Sequence, residues 1–409
     1  MQNIAAPIVN VFLSDYTQVA LSLKEGIAFI LILTGAVKFF KVKKNQYLYL
    51  LSIVYTLYCC VNWMSYGMHS LLSLRQLIII SSIIAASFYK VNGNFNYRLA
   101  HNYLIFFLFA LMISNYAEII YFHYNGNAFW YWLRYDEFVH SKGLANWLGS
   151  NGVPRGWYTW DFLLIGSGVQ RRAVSFFIAQ PTIIAHILAY PTLYFFFQKK
   201  YTISIVFLLS LLLTFSKGGV LAVILGVYIN FSEKVRPRVI AFFSILFVVI
   251  SSYILINTAS YGNYYSASKH ASGLVSAVHL ILEDPFGIGI GNAGNFAKLD
   301  ELTLNREEIG ESYFGALISQ TGLIGMFYYM FVMMYIFFTR FSNQENKTEH
   351  YVLAVYLFST LCTGMMSESA INFVGLSPFI LLFFYSAKNS KSSPAENELS
   401  YSRARTISK

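Results

Sequence analysis

Residues 201–231 read YTISIVFLLSLLLTFSKGGVLAVILGVYINF. As one helix this stretch would be about 46 Å long at 1.5 Å per residue, against a hydrocarbon core of about 30 Å. Lys199 and Lys200 precede it, and Lys234, Arg236 and Arg238 follow it. Basic flanks favour the cytoplasmic side of a membrane, so both ends belong on that side. A hairpin turning at Ser216-Lys217-Gly218-Gly219 satisfies length and charge together; a single span satisfies neither. The same reasoning splits 351–385 at Ser367-Glu368-Ser369, with Lys347 before it and Lys388 and Lys391 after it.

Outward from this hairpin, apolar runs of crossing length recur along the chain. Of its 409 residues 56% are hydrophobic and only 12% charged, about half the charge of a soluble domain. The expected fold class is all-α, a polytopic transmembrane helix bundle of about eleven spans: 21–40, 46–66, 71–89, 101–123, 175–197, 201–215, 218–231, 239–256, 311–338, 351–366 and 370–385. Residues 1–385 then form a single transmembrane catalytic domain, and 386–409 a polar, basic, disordered cytoplasmic tail. This composition excludes a secreted disulfide scaffold, a soluble dinucleotide-binding enzyme and a nucleic-acid binder. Cys59, Cys60 and Cys362 lie in apolar runs without metal spacing and read as small packed residues. The first apolar run lacks the basic start and small-residue cleavage site of a signal peptide.

With the N-terminus outside and the C-terminus inside, the cytoplasmic segments hold 18 of the 29 Lys and Arg and 5 of the 19 acids. Net charge is then +13 inside and −3 outside. The basic balance therefore reports orientation and contact with anionic lipid heads rather than nucleic acid. Two long segments fall outside: 124–174, rich in Trp, Tyr and Arg, and 257–310, rich in Gly, Ser, Asn and acids. Loops this long are usually functional or disordered, which places the expected chemistry on the outer face.

Arg171 and Arg172 stand just before the fifth span, against the positive-inside bias. Their planar forks suit an anion, and the same position suits snorkelling side chains. Pro181 is expected to break or kink that span near its outer end. Lys217, in the tight outer turn, is either a phosphate contact or a cation in the headgroup layer. Gly287-Ile288-Gly289-Ile290-Gly291-Asn292-Ala293-Gly294 contains G-x-G-x-x-G but no strand–turn–helix context, so it reads as a turn packing its loop on the bundle. Glu311 opens the ninth span, where a carboxylate complements the helix dipole or serves as a general base. Glu118, inside the fourth span, and Glu368, in an outer turn, are further candidates, with Arg75 a possible ion-pair partner for either. His186 and His279 fall near the outer face as packed or interfacial residues. No histidine spacing suggests a metal, and no cofactor is expected.

The order of these features resembles the superfamily of O-antigen ligases and Wzy-type O-antigen polymerases. An Arg-containing segment enters a span with a proline. A Thr-x-Ser-Lys-Gly hairpin follows, then a loop holding Asp-Pro-Phe-Gly-Ile-Gly-Ile-Gly-Asn, then a helix with a polar start and Gly-Leu-Ile-Gly within it. The resemblance covers roughly residues 165–335. It implies a metal-independent glycosyltransferase of the bacterial inner membrane that uses undecaprenyl-diphosphate-linked glycans as donor and acceptor, and it admits a chain-length regulator protein as partner. It carries the diphosphate-binding role onto Arg171 or Arg172 and onto Lys217, where many members have arginine. Glu311-Ser312 stands where the ligases have His-Asn, which favours the polymerases. The alternatives are a ligase transferring glycan to lipid A-core and, from another class, a transporter of lipid-linked glycans. Trp130, Trp132, Trp147, Trp157 and Trp160 offer flat surfaces for sugar rings, or form an interfacial belt.

Overall fold

The computed structural model describes residues 46–66, 71–87, 96–141, 148–159, 169–176, 178, 180–231, 265–294, 312–339, 347–365, 367, 370, 371 and 373–389. The expected spans 21–40 and 239–256 and most of the tail lie outside them. So do Glu311, Glu368, Trp147 and Trp160.

The described residues are mostly helical. Helix α1 is Gln46–Ser65, α2 Leu71–Ser87 and α3 Tyr97–Asn125. Asn96 caps α3 by accepting from the Leu99 amide at 3.0 Å, and Gly126 ends it at φ 58°. Two short helices follow, α4 (Ala128–Trp132) and α5 (Tyr135–Ser141). A two-stranded antiparallel ribbon then pairs β1 (Tyr158–Thr159) with β2 (Gln170–Arg171), Tyr158 opposite Arg171. Next come α6 (Pro181–Phe197), α7 (Tyr201–Leu212) and α8 (Lys217–Phe231). The last four are α9 (Tyr265–Glu283), α10 (Tyr313–Thr339), α11 (Lys347–Gly364) and α12 (Phe373–Asn389).

Three helices, α1, α3 and α10, are long and apolar enough to cross a membrane; the apolar parts of α2, α6, α7, α8, α9 and α12 are shorter. On α1 the exposed row is Leu50, Val54, Leu57, Val61 and Met64, while Ser52, Thr56 and Asn62 are buried. On α3 Phe106, Ile113 and Ile120 face outward and His101, Asn115 and Glu118 inward. A water-soluble helix keeps its apolar stripe for the core; here apolar residues occupy both the buried and the exposed faces. Buried hydroxyls close on carbonyls one turn back, as Ser52 Oγ does on Leu48 O at 2.8 Å and Thr192 Oγ1 on Leu188 O at 2.8 Å.

Helix α6 lies at the centre, buried from Ile183 to Phe195 and packed against α7, α8, α11 and α12. Pro181 is its first residue, where a missing N–H costs nothing. The expected kink at Pro181 is thus a helix start, and the helix begins six residues after the expected 175. The hairpin in 201–231 is present. Its break spans 213–216, with Phe215 at φ 47°, so Lys217 opens α8 rather than sitting in the turn. Helices α11 and α12 likewise divide 347–389 at the expected place.

Both long segments carry structure of their own: α4, α5 and the ribbon in one, α9 in the other. Helix α10 is interrupted at Gly322, at φ 64° and ψ −150°. The glycine run docks into this interruption. Ile288 N donates to Ser319 O at 2.8 Å, Leu323 N to Pro285 O at 2.8 Å, and Gly291 N to Gln320 Oε1 at 2.7 Å. On its other side Ile290 N donates to Asn62 Oδ1 of α1 at 2.9 Å. A Cβ on Gly322 would sit 2.1 Å from Pro285 O, and one on Gly287 2.6 Å from Gln320 O. The two glycine motifs noticed separately in the sequence are therefore the two halves of one contact.

Candidate functional site

The two arginines diverge. Arg171 is buried, and its Nη2 donates to Glu118 Oε1 at 2.8 Å. The same carboxylate accepts from Trp130 Nε1 at 3.3 Å and, through Oε2, from Val174 N at 3.0 Å. Arg171 also donates to Arg172 O and lies over the rings of Phe122, Trp157 and Tyr158. Loss of solvation lowers its pKa, and the Glu118 charge opposes that shift. Such a pair compensates both charges where water cannot, although among the described residues Arg171 Nε is left without a hydrogen-bond partner. It fastens β2 and the Trp130–Trp157 cluster to α3. Of the two partners the sequence offers for Arg75, Glu118 and Glu368, Glu118 pairs instead with Arg171, 53 residues along the chain, and Glu368 lies outside the described residues. Trp130 and Trp157 are buried in the cluster, whereas Trp132 is exposed.

Arg172 turns the other way. Its Nε donates to Thr214 O at 2.8 Å and its Nη1 to Gly156 O at 3.0 Å. Beside it Ala173 N donates to Leu213 O at 2.9 Å. These bonds tie the arginine to the α7–α8 break and use two of the five guanidinium N–H groups. Lost solvation, and then the charge of Arg171, bring its pKa down to about 10, so it remains a cation at neutral pH.

Three residues beyond Thr214, Lys217 begins α8 with an exposed side chain. Val220 N donates to Ser216 O at 3.3 Å, so the amides of Lys217, Gly218 and Gly219 precede the first bond of the helix and have no acceptor within it. The two glycines let α8 press against α6. A Cβ on Gly219 would lie 2.6 Å from Ala185 Cβ, and one on Gly218 3.0 Å from His186 Nε2 and 3.8 Å from Ser367 Cβ.

Ser367 belongs to the turn after α11. In that turn Met365 O accepts from Ser312 Oγ at 2.5 Å, and the same hydroxyl accepts from Gly315 N at 2.9 Å. Ser312 is therefore the N-cap of α10. Tyr313 OH in turn donates to Gln76 O at 3.3 Å, next to the half-buried Arg75 of α2. The segments that carry Arg75, Arg172, Lys217, Ser312 and Ser367 thus meet through a continuous series of contacts. Glu311 and Glu368 themselves lie outside the described residues; their neighbours in sequence, Ser312 and Ser367, are members of this series.

Sequence reasoning left His186 as a packed residue. It lies on α6 against the first turn of α8, a placement that depends on a helix 31 residues away in sequence and leaves no local signature. Comparison of the chain with protein-family models, with curated proteins and with solved structures gives no match.

Proposed function

We propose that this protein is a multi-pass glycosyltransferase of the bacterial inner membrane. In this reading it joins undecaprenyl-diphosphate-linked repeat units into an O-antigen or similar surface polysaccharide on the outer face. About eleven helices span the bilayer, with the N-terminus outside and the C-terminus inside. The outward apolar rows on α1 and α3 support the membrane setting, since lipid is the solvent that accepts them.

The observation that carries the reading is the meeting of the Arg172-bearing segment, the Lys217 end of α8, the Ser312 start of α10 and the Ser367 turn. A lipid diphosphate leaves well once its charge is neutralised. Arg172, held by two carbonyls, and Lys217 supply fixed positive charge for that purpose. The bond from the sugar anomeric carbon to the diphosphate oxygen breaks, and a bond from that carbon to an acceptor hydroxyl oxygen forms. The hydroxyl proton passes to a carboxylate, for which Glu311 is the first candidate and Glu368 the second. Arg171 and Glu118 hold the outer loop in place and stand outside this chemistry.

The test is the surface glycan of a deletion strain complemented with variants. Loss of the chain is expected to leave core capped by a single repeat. Unmodified core with carrier-linked polymer would make the chain a ligase, and failure of outward translocation a transporter. Arg172→Ala and Lys217→Ala are each expected to lower polymerisation roughly 10- to 100-fold, the loss of one charge-assisted contact of about 1.5–3 kcal/mol. Lys217→Arg is expected to be tolerated. Normal long-chain glycan in both alanine variants would remove the diphosphate role.

A further inference from the structure

His186 is 1% exposed, and among the described residues neither of its ring nitrogens has a hydrogen-bond partner. The other buried histidines are different. His101 Nε2 meets Tyr190 OH at 2.9 Å, and His350 meets Ser386 Oγ at 2.7 Å and Thr339 O at 3.0 Å. A neutral imidazole always carries one donor and one acceptor, and a buried group left unsatisfied is destabilising. The atoms nearest to where a Gly218 side chain would begin are His186 Nε2 and Cε1, at 3.0 and 3.2 Å. The ring edge is therefore aimed at the first turn of a 15-residue helix.

We propose that His186, together with the Gly218 and Gly219 amides, forms an oxyanion subsite that takes a phosphate oxygen of a polyprenyl diphosphate. The first-turn amides and the imidazole N–H are all donors, and the helix dipole adds partial positive charge at the same point. Lys217 stands beside them. With the ring proton on Nε2, the groups facing this point are all donors, and such a set selects an anion over a sugar hydroxyl, which must also donate. Glycine at 218 is part of the design, since a Cβ there would fill the space that the imidazole edge faces. The choice of a polyprenyl diphosphate as ligand rests on the function proposed above; the subsite itself rests on the unpartnered histidine and the helix start.

The experiment uses the full chain in lipid nanodiscs, with geranylgeranyl diphosphate as probe and geranylgeraniol as the tail-only control. Binding is measured at equilibrium, and polymerisation of lipid-linked repeat units is assayed on the same preparations. His186→Phe keeps a ring but no donor and is expected to weaken diphosphate binding about 10- to 100-fold, leaving geranylgeraniol unchanged. His186→Gln retains an N–H and is expected to recover part of the affinity, which separates a lost donor from a lost fold. Gly218→Ala is expected to behave like His186→Phe. Wild-type diphosphate affinity in His186→Phe, or no diphosphate binding by the wild type, would overturn the subsite. Binding that depends on His186 in a protein that makes no polymer supports the subsite and refutes the polymerase. Polymerisation with an unchanged donor KM in His186→Phe does the reverse.

Discussion

Glu118 and Arg171 show what a buried charge requires. Each is almost fully withdrawn from solvent, at 1% and 6% side-chain exposure. Removing one partner leaves the other without compensation, a loss of about 3–5 kcal/mol where such pairs have been broken. Glu118→Gln is expected to destabilise the protein by that amount, read as a lower unfolding temperature in detergent. Glu118→Gln with Arg171→Met is expected to recover much of it, because the stranded cation is then gone. A single variant as stable as the wild type would show that the pair is dispensable. Glu311 is tested differently. If it takes the acceptor proton, Glu311→Gln lowers turnover about 10²–10⁴-fold and Glu311→Asp keeps part of the activity. Near wild-type turnover in Glu311→Gln beside a dead Glu368→Gln would move the role to Glu368. Both ionisable residues of the buried pair were legible in the sequence as unusual, because charge in or beside an apolar run is rare. Their pairing was not, since it depends on a ribbon that brings Arg171 back over α3.

At the scale of elements, the α7–α8 hairpin could be foreseen because length and flanking charge act locally. The exact break could not. Phe215 adopts a positive φ with no glycine to announce it, and the glycines that looked like the turn serve the approach of α8 to α6. The interruption of α10 was hidden for a related reason. Gly322 lies in a run that reads as continuous helix, and at its break Leu323 N donates to the carbonyl of Pro285, 38 residues earlier, rather than within the helix. Alanine at 322 would meet both a glycine-only backbone region, worth about 1–3 kcal/mol, and a direct clash. Gly322→Ala is expected to undock residues 285–291 from α10. Hydrogen exchange at the Ile288, Ile290 and Gly291 amides is the measurement, with faster exchange expected at all three. Unchanged protection there would mean that the dock does not depend on this glycine.

For the molecule as a whole, α1 and α3 turn rows of large apolar residues outward and bury their polar residues among apolar ones. With the asymmetry of Lys and Arg this gives a complete topological expectation: 124–174 and 257–310 outside, 232–238, 339–350 and the tail inside. Single cysteines at Ser150, Val235 and Asp300, in a background lacking the native three, put it to the test. A membrane-impermeant thiol reagent applied from outside is expected to label positions 150 and 300 and to spare 235. Labelling of 235 alone would invert the map. Much of the mostly helical architecture was legible from composition, because a chain this poor in charge and rich in long apolar runs favours helices, which satisfy their own backbone. The meeting of α2, α6, α8, α10 and the turn after α11 at one place was not, because it is set by contacts between elements up to 237 residues apart.

The 53 residues between Glu118 and Arg171 also bear on how the protein is made. At a synthesis rate of about 5–20 residues per second, roughly 3–10 s pass between the two leaving the ribosome. During that interval, in the membrane setting proposed above, α3 is made with a carboxylate whose partner does not yet exist. The helix stands without that partner until the ribbon arrives. Replacing Arg171 is therefore expected to lower the amount of chain that accumulates in the cell, since the carboxylate then never meets its partner.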